Sequence, residues 1–391
     1  MSKNRISEKI SELNKKRILY YLFKHHTLYT TRSHLVKVLN ISFPAVSNNL
    51  SQLIEEGYIS EKIDNLNSIG RKSKKISLNP NTKSILFVHI EYQNASFFLI
   101  DLKMRVLKIK KITFERNINF LDLWTMIEKE IKSMNQGLSS EKVGELLGVC
   151  IAVPAPVDKL NHKLIKSRFY GWKEETLLEY INLNGEKIPI FWENDSNLLA
   201  KGFYESSSKF QNVLAIYFSM GIGMGMIIDG ELYRGIDGNA GEIGQLKIEH
   251  MGSYEELEKI ISEKYLIEFA KNRLNIPYND NEKILVELER NNKLNIVYKE
   301  FENISNNISK VVAPIIMALE PEIVVIDGTV KENCPSLIKN IISKIEKLTG
   351  TKNIFKTDVD GNSLMLCGGF WEVLDNTMEF REIKKIEKQR I

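Results

Sequence analysis

From Ser84 onward, short continuous apolar runs recur between stretches of helical spacing, a texture absent from the first 80 residues. SILFVHI, ASFFLIDL, the apolar part of ELLGVCIAVPAPVD, PIFWEND, NVLAIYF and PEIVVIDG (Pro321–Gly328) each suit one strand and are too short for an ordinary helix. Strands read as unbroken apolar runs when helices cover both faces of their sheet. Helical patterns over Phe120–Met134 and most of Tyr254–Glu320 alternate with these runs, which restricts the body to an α/β fold. RVLKIKKITF adds a strand, and SLMLCGGFWEVL (Ser363–Leu374) reads as a last strand-to-helix junction. No repeat of 20 to 50 residues is present.

The first 80 residues differ in charge as well as in period. The chain's net charge of +4 is the sum of +8 over residues 1–80 and −4 over the remainder. A basic module on a nearly neutral body points to a polyanionic partner. Ile10, Leu13, Ile18, Leu19, Leu22 and Phe23 recur at helical spacing. A second helix is expected after an N-cap at Thr31, with Leu35, Val36 and Leu39 inward and Asn40 closing it. In SFPAVSNNLSQLIEEG, Ser42 caps a third helix, Pro44 is tolerated in its first turn and Gly57 ends it. With Val46, Leu50, Leu53 and Ile54 inward, Ser42, Pro44, Ser47, Asn48 and Ser51 form an outward face. That face is polar and free of carboxylates, as suits DNA base edges and phosphates. YISEKI and KKISLN then form a two-stranded wing whose tip carries Arg71, Lys72, Lys74 and Lys75 for phosphate contact or a narrow minor groove. The partner called for is a double-stranded DNA operator.

Other classes are disfavoured by what the chain lacks. The three cysteines (Cys150, Cys334, Cys367) are far apart, giving neither a disulfide framework nor a cysteine metal site. No run reaches the roughly 20 apolar residues of a membrane span, and the polar start is unlike a signal peptide. A cytoplasmic protein is expected.

Three body segments carry candidate chemistry. In WENDSN (Trp192–Asn197), Asn194 and Asp195 follow a strand, where polar groups commonly face a ligand cleft. A turn capped by the same side chains would use them equally well. SMGIGMG (Ser219–Gly225) lets the backbone approach a ligand or form a hairpin. In GNAGEIGQ (Gly238–Gln245), Glu242 stands between glycines with reach to a hydroxyl group.

The order of these segments is more specific than any one of them. NKKRILYYL, ISFPAVSNNLSQLIEEGYI and GRKS resemble the winged helix-turn-helix of ROK-family repressors. VCIAVPAPVD, YGW, WENDSN, GIGMGMIIDGELYRG, NAGEIG, LEKIIS and PEIVVIDG follow the order of the ROK sugar-kinase and repressor family, through residues 84–374. The resemblance implies an actin-like, ribonuclease H-like body of two lobes that binds a monosaccharide between them. The expected parts are a winged helix-turn-helix over 1–80, a first lobe over 81–199 and a second over 200–391. The C-terminal helix is expected to pack back on the first lobe. By the same resemblance Asp195 matches the family's catalytic base, and Asn194, Glu242 and Glu258 match sugar-contacting positions.

The departures separate the family's two branches. Its kinases carry a D-I-G-G-T loop whose glycine amides cradle ATP phosphates. His89, Ile90, Glu91, Tyr92 and Gln93 stand there, so side chains replace both glycines and one is acidic. Met220 replaces the usual threonine of the second phosphate loop. Gln245 replaces the family's zinc-binding histidine, and KIEHMGSYEE contains no cysteine. His250 alone falls short of the four donors zinc requires. Arg168 stands where many members have asparagine, as a surface residue or as a contact to an acidic sugar. The resemblance therefore implies a dimeric transcriptional repressor with a monosaccharide or sugar-phosphate effector, no catalytic residue, no metal and no cofactor. The alternative is an ATP-dependent sugar kinase with a DNA-binding arm, which His89–Gln93 opposes.

Overall fold

The computed structural model describes residues 3–25, 29–63, 74–141, 144–167, 170–207, 209–274, 276, 278–352 and 354–388. The chain opens with helices α1 (Lys3–Lys24), α2 (Arg32–Leu39) and α3 (Phe43–Glu55) and the antiparallel ribbon β1 (Ile59–Ile63) and β2 (Lys74–Leu78). The strands β3 (Lys83–Ile90), β4 (Asn94–Asp101) and β5 (Val106–Thr113), helix α4 (Phe120–Glu141) and strand β6 (Glu145–Val153) follow. Next come the short strands β7 (Val157–Asp158), β8 (Lys163–Lys166), β9 (Lys173–Thr176) and β10 (Tyr180–Leu183), then β11 (Glu186–Asn194) and α5 (Asp195–Ser207). Strands β12 (Val213–Phe218), β13 (Ile222–Ile228) and β14 (Glu231–Leu232) precede the hairpin β15 (Lys247–His250) and β16 (Ser253–Glu256). Helices α6 (Glu258–Ile261), α7 (Glu263–Leu274), α8 (Asn281–Arg290) and α9 (Asn295–Leu319) lead to β17 (Ile323–Asp327). The chain finishes with α10 (Thr329–Asn333), α11 (Pro335–Thr349), β18 (Phe355–Lys356), α12 (Gly361–Thr377) and α13 (Phe380–Lys388).

Two compact units result. The first takes 1–152, 177–192 and 369–391; the second takes 153–176 and 193–368. The first unit's main sheet has the order β10-β11-β6-β3-β4-β5, with β3 parallel to β6 and antiparallel to β4. Its inner strand β3 is buried over seven consecutive residues, whereas the edge strand β5 is largely exposed. Lys108, Lys110 and Lys111 lie on that edge, where charge opposes pairing with another sheet.

The N-terminal elements form a winged helix-turn-helix, as local signals predict. Thr31 Oγ1 accepts from His34 N at 3.2 Å, and Asn40 ends α2 in the left-handed region. Ile18, Leu35, Val46, Leu50, Leu53, Ile59 and Ile76 make the small core. Ile10, expected on the apolar face, is exposed. The module has a second buried face against the chain's end. Tyr20 packs edge-on against Trp371 and Phe380, with centroids 5.8 and 5.6 Å away, and Phe23 meets Phe370 and Phe380. Lys16 pairs with Glu379, and the Lys24 and Lys384 ammonium groups stand 5.0 and 4.9 Å from the Trp371 ring centroid. SLMLCGGFWEVL is helical throughout, not a strand-to-helix junction. Its glycines serve close packing: a Cβ on Gly368 would stand 2.1 Å from Leu198 O, and one on Gly369 2.5 Å from the Phe87 ring.

The second unit's main sheet has the order β14-β13-β12-β17-β18, with β12 and β17 parallel. Apolar residues of α7, α8, α9 and α11 cover β12, β13 and β17 in one core. A separate antiparallel sheet, β7-β8-β9, was not anticipated from the sequence.

Phe23→Ala should lower stability by about 3–5 kcal/mol, since Phe23 is 1% exposed and belongs to the aromatic joint. Urea unfolding of the full chain measures it; a loss below about 1 kcal/mol contradicts the packing.

Candidate functional site

The outward face of α3 comes from its cap and its inward stripe. Ser42 Oγ accepts from Ala45 N at 3.4 Å, with Pro44 in the first turn. Ser42, Pro44, Asn48 and Ser51 are exposed, and Ser51 Oγ donates to Ser47 O at 3.0 Å. Ser47 is half-buried with a sheltered Oγ, so the outward face is narrower than expected. Phe43, not singled out from the sequence, is 53% exposed beside Pro44 and offers an apolar contact of the kind thymine methyl groups accept. Its only sequence signal is its place one residue after the cap.

At the wing's root, the Glu61 carboxylate joins two elements. Oε1 accepts from Arg32 Nε at 3.0 Å and Nη2 at 2.6 Å, and Oε2 from Lys74 Nζ at 3.0 Å. Burial opposes ionisation of Glu61, but Lys74 and Arg32 outweigh it and hold the carboxyl below its ordinary range. Lys74 is therefore an exposed cation held by Glu61. Arg71 and Lys72 lie outside the described residues, as does Arg168.

In the second unit a polar constellation is built on Glu193, whose side chain is almost fully buried. Its Oε1 accepts from Asn194 N and Asn197 Nδ2, each at 3.0 Å. Its Oε2 accepts from Arg234 Nε at 2.8 Å and Nη2 at 2.7 Å, and from Lys159 Nζ at 2.9 Å. Lys159 is delivered by the turn at Asp158, which accepts from Leu160 N, Asn161 N and Asn161 Nδ2. The Asn161 side-chain and backbone bonds hold the Asp158 carboxyl below its ordinary range. Asn194 caps α5, with Oδ1 accepting from Ser196 N at 3.0 Å and Asn197 N at 3.3 Å. Asn194 Nδ2 donates to Ala155 O at 3.3 Å. Asp195, half-buried, opens the helix and accepts from Ser196 N at 2.7 Å.

Strand β13 joins this corner to the second acidic segment. A Cβ on Gly225 would lie 2.1 Å from Ser196 O, and one on Gly223 3.0 Å from Ser196 Oγ. The glycines of SMGIGMG thus let α5 rest on a hairpin strand. On β13, Met224 N donates to Gly241 O at 2.9 Å, and Gly241 has φ +87° with no room for a Cβ beside Met224 O. The following helical turn places Gln245 Nε2 2.6 Å from Glu242 Oε2. Gly244 packs beside Glu258, where a Cβ would come 3.1 Å from Oε2. Glu242, Gln245 and Glu258 are thereby gathered, and β13 carries both this group and the Asn194–Asp195 corner. Carboxylates and amides so grouped can accept from and donate to vicinal hydroxyls.

The phosphate-loop positions show different chemistry. His89 is buried in the first unit, and burial depresses its imidazole pKa, favouring the neutral form. In the second unit, Thr329 Oγ1 donates to Glu263, and Ser219 Oγ lies 3.4 Å from the same Glu263 Oε2. Asp327 is buried; desolvation pushes its carboxyl upward despite Lys331 Nζ at 2.6 Å. The segment KIEHMGSYEE is a hairpin turning at Met251–Gly252, with His250 Nδ1 3.5 Å from Asn307 Nδ2. All three cysteines are buried, and no group of three His, Cys, Asp or Glu suited to a metal occurs among the described residues.

The model of the ROK family matches residues 89–362. The chain belongs to the ROK family. It is 24% identical to the xylose repressor of Staphylococcus xylosus over 389 residues, which cover 95% of this chain and 97% of that protein. It is 23% identical to the DNA-binding transcriptional dual regulator NagC of Escherichia coli, over 84% of this chain and 83% of the other. A solved ROK family transcriptional regulator, described as a homolog of the E. coli MLC protein, superposes with a TM-score of 0.72 at 18% identity. It covers 95% of this chain and 99% of its own.

Relative to the ROK family's zinc-bearing pattern, these residues do not fit a metal, because the β15–β16 hairpin carries no cysteine and Gln245 offers an amide where that pattern has histidine. Glu193 and Arg234 were the residues most obscure in the sequence. A carboxylate ending a buried strand must be paired, but a partner 41 residues away has no local signature.

Arg234→Met should cost about 3 kcal/mol by removing one of the cations that meet the buried Glu193 carboxylate. Adding Glu193→Gln should cost less than the two single losses together; strictly additive urea-unfolding energies contradict the coupling.

Proposed function

We propose that this ROK-family protein is a sugar-responsive transcriptional repressor that acts in the cytoplasm as a homodimer on an operator. The observation that carries the reading is the joining of a winged helix-turn-helix to a ROK body, with similarity to a xylose repressor along nearly the whole chain. Residues 1–80 are the DNA-reading part. The face of Ser42, Pro44, Asn48 and Ser51 enters the major groove, and the basic wing contacts backbone phosphates. Ser47 contributes from its half-buried position, and Arg71, Lys72 and Lys74 belong to the same wing.

The effector is a monosaccharide or sugar phosphate received by Asp195, Glu242, Gln245 and Glu258, with Asn194 shaping the corner. The names of similar repressors make xylose and N-acetylglucosamine the first sugars to test. Asp195 accepts hydrogen bonds from sugar hydroxyls without transferring a phosphoryl group. Two features argue against ATP. Side chains stand at Glu91 and Tyr92 where a phosphate cradle needs glycine, and the Ser219 turn is lined by Glu263, which repels a polyphosphate. An effector changes DNA affinity only by preferring one arrangement of the dimer.

Asp195→Ala should abolish the thermal shift caused by the effector sugar, a stabilisation of about 2.7 kcal/mol at a hundred times Kd, while DNA binding persists. An undiminished shift in the variant overturns the role of Asp195. Incubation of the wild-type protein with sugar and Mg·ATP should yield no phosphorylated sugar, and measurable turnover overturns the assignment as a non-enzyme.

A further inference from the structure

We propose that Lys103, a residue of the body and not of the winged helix-turn-helix, is a phosphate-contacting residue of the DNA-binding surface. This inference rests on the DNA-binding reading above and extends the surface beyond residue 80. Tyr29 is 55% exposed and directly precedes Thr30, which exchanges backbone hydrogen bonds with Ile76 of β2 at 2.9 and 2.8 Å. The backbone beside Tyr29 is thus anchored at the base of the wing. Two ammonium groups come to the Tyr29 ring from different parts of the chain. Lys75 Nζ, from the wing strand, stands 5.9 Å from the ring centroid, and Lys103 Nζ, from the β4–β5 turn, stands 5.5 Å away.

Lys103 is held for this position by its backbone. The buried Asp101 carboxylate accepts from Lys103 N at 2.7 Å, from Arg105 N at 3.0 Å and from Arg105 Nε at 2.6 Å. Met104 N donates to Asp101 O at 3.0 Å, with φ +58° at Met104. Arg105 therefore offsets the charge of Asp101, and the turn keeps one surplus cation, Lys103. Among the described residues no carboxylate pairs with its ammonium, whereas Lys74 and Arg32 on the same wing are held by Glu61. The surplus Lys103 ammonium, held beside the wing, is placed to meet a phosphate of a nucleic-acid backbone. The ring's attraction for cations fixes where the ammonium groups wait.

The test uses full-length wild type, Lys103→Ala, Lys103→Arg and, as a control at an exposed site in the second unit, Lys339→Ala. The probe is a random-sequence DNA duplex, titrated at several salt concentrations, because non-specific binding reads backbone contacts. The logarithmic salt slope should fall by about 0.9 in Lys103→Ala, with several-fold weaker binding at low salt. Lys103→Arg and Lys339→Ala should keep the wild-type slope. A wild-type slope in Lys103→Ala overturns the proposal and leaves the DNA-binding reading standing. A lowered melting temperature with an unchanged slope overturns it too, assigning Lys103 a purely structural part. Absence of DNA binding by the wild type overturns both.

Discussion

The candidate effector site depends on the burial of one ionised carboxylate. Glu193 stands next to last in β11, where the strand is buried just before α5, so its charge is drawn out of water by the strand's own burial. A lone carboxylate there would cost several kcal/mol, which Arg234, Lys159 and the Asn194 and Asn197 donors help to offset. This arrangement has a geometrical consequence. Arg234 ties the loop after β14 to the turn, Lys159 ties the β7–β8 turn to it, and Asn197 fixes the first turn of α5. Asn194 and Asp195 are placed by that clamp, and so is the end of α5 that rests on β13. Removing one partner of such a buried pair strands the other charge, so the groups that meet Glu193 are held together, and a site for a small polar ligand needs that fixity.

What could be read in advance follows from how far each determinant acts along the chain. The caps at Thr31 and Ser42 and the stop at Asn40 involve neighbours within a turn, so residue types alone locate them. The strands β3, β6 and β17 announce themselves because both faces are buried. Gly368 and Gly369 mislead for the opposite reason. A glycine pair suggests a break in a helix, yet its purpose here is to admit the Leu198 carbonyl and the Phe87 ring, contacts invisible along the sequence. Gly223 and Gly225 suggest a ligand loop on the same grounds and instead accommodate α5.

The site residues divide in the same way. Asp195, Glu242 and Glu258 are named by the order of motifs; Gly244 brings Glu258 beside the turn of Glu242 and Gln245, and β13 carries that turn on the strand against which α5 begins. Asn194 is legible as a residue and ambiguous in use, because an amide after a strand suits a ligand and a cap alike. Its Oδ1 accepts two backbone donors of α5, so its geometry is first that of a cap. Glu193 and its cations are legible only after folding.

The basic module is equally a consequence of packing that its own sequence does not contain. A domain of about 80 residues buries little surface alone and is correspondingly marginal. Here Tyr20 and Phe23, on the face of α1 away from α3, are completed by Phe370, Trp371 and Phe380 from the opposite end of the chain. The Lys24 and Lys384 ammonium groups both lie near the Trp371 indole, and Lys384 also pairs with Asp375. The apolar residues of α1 pack the module against the chain's end, and Lys16 and Lys24 of the same helix join that contact through Glu379 and Trp371.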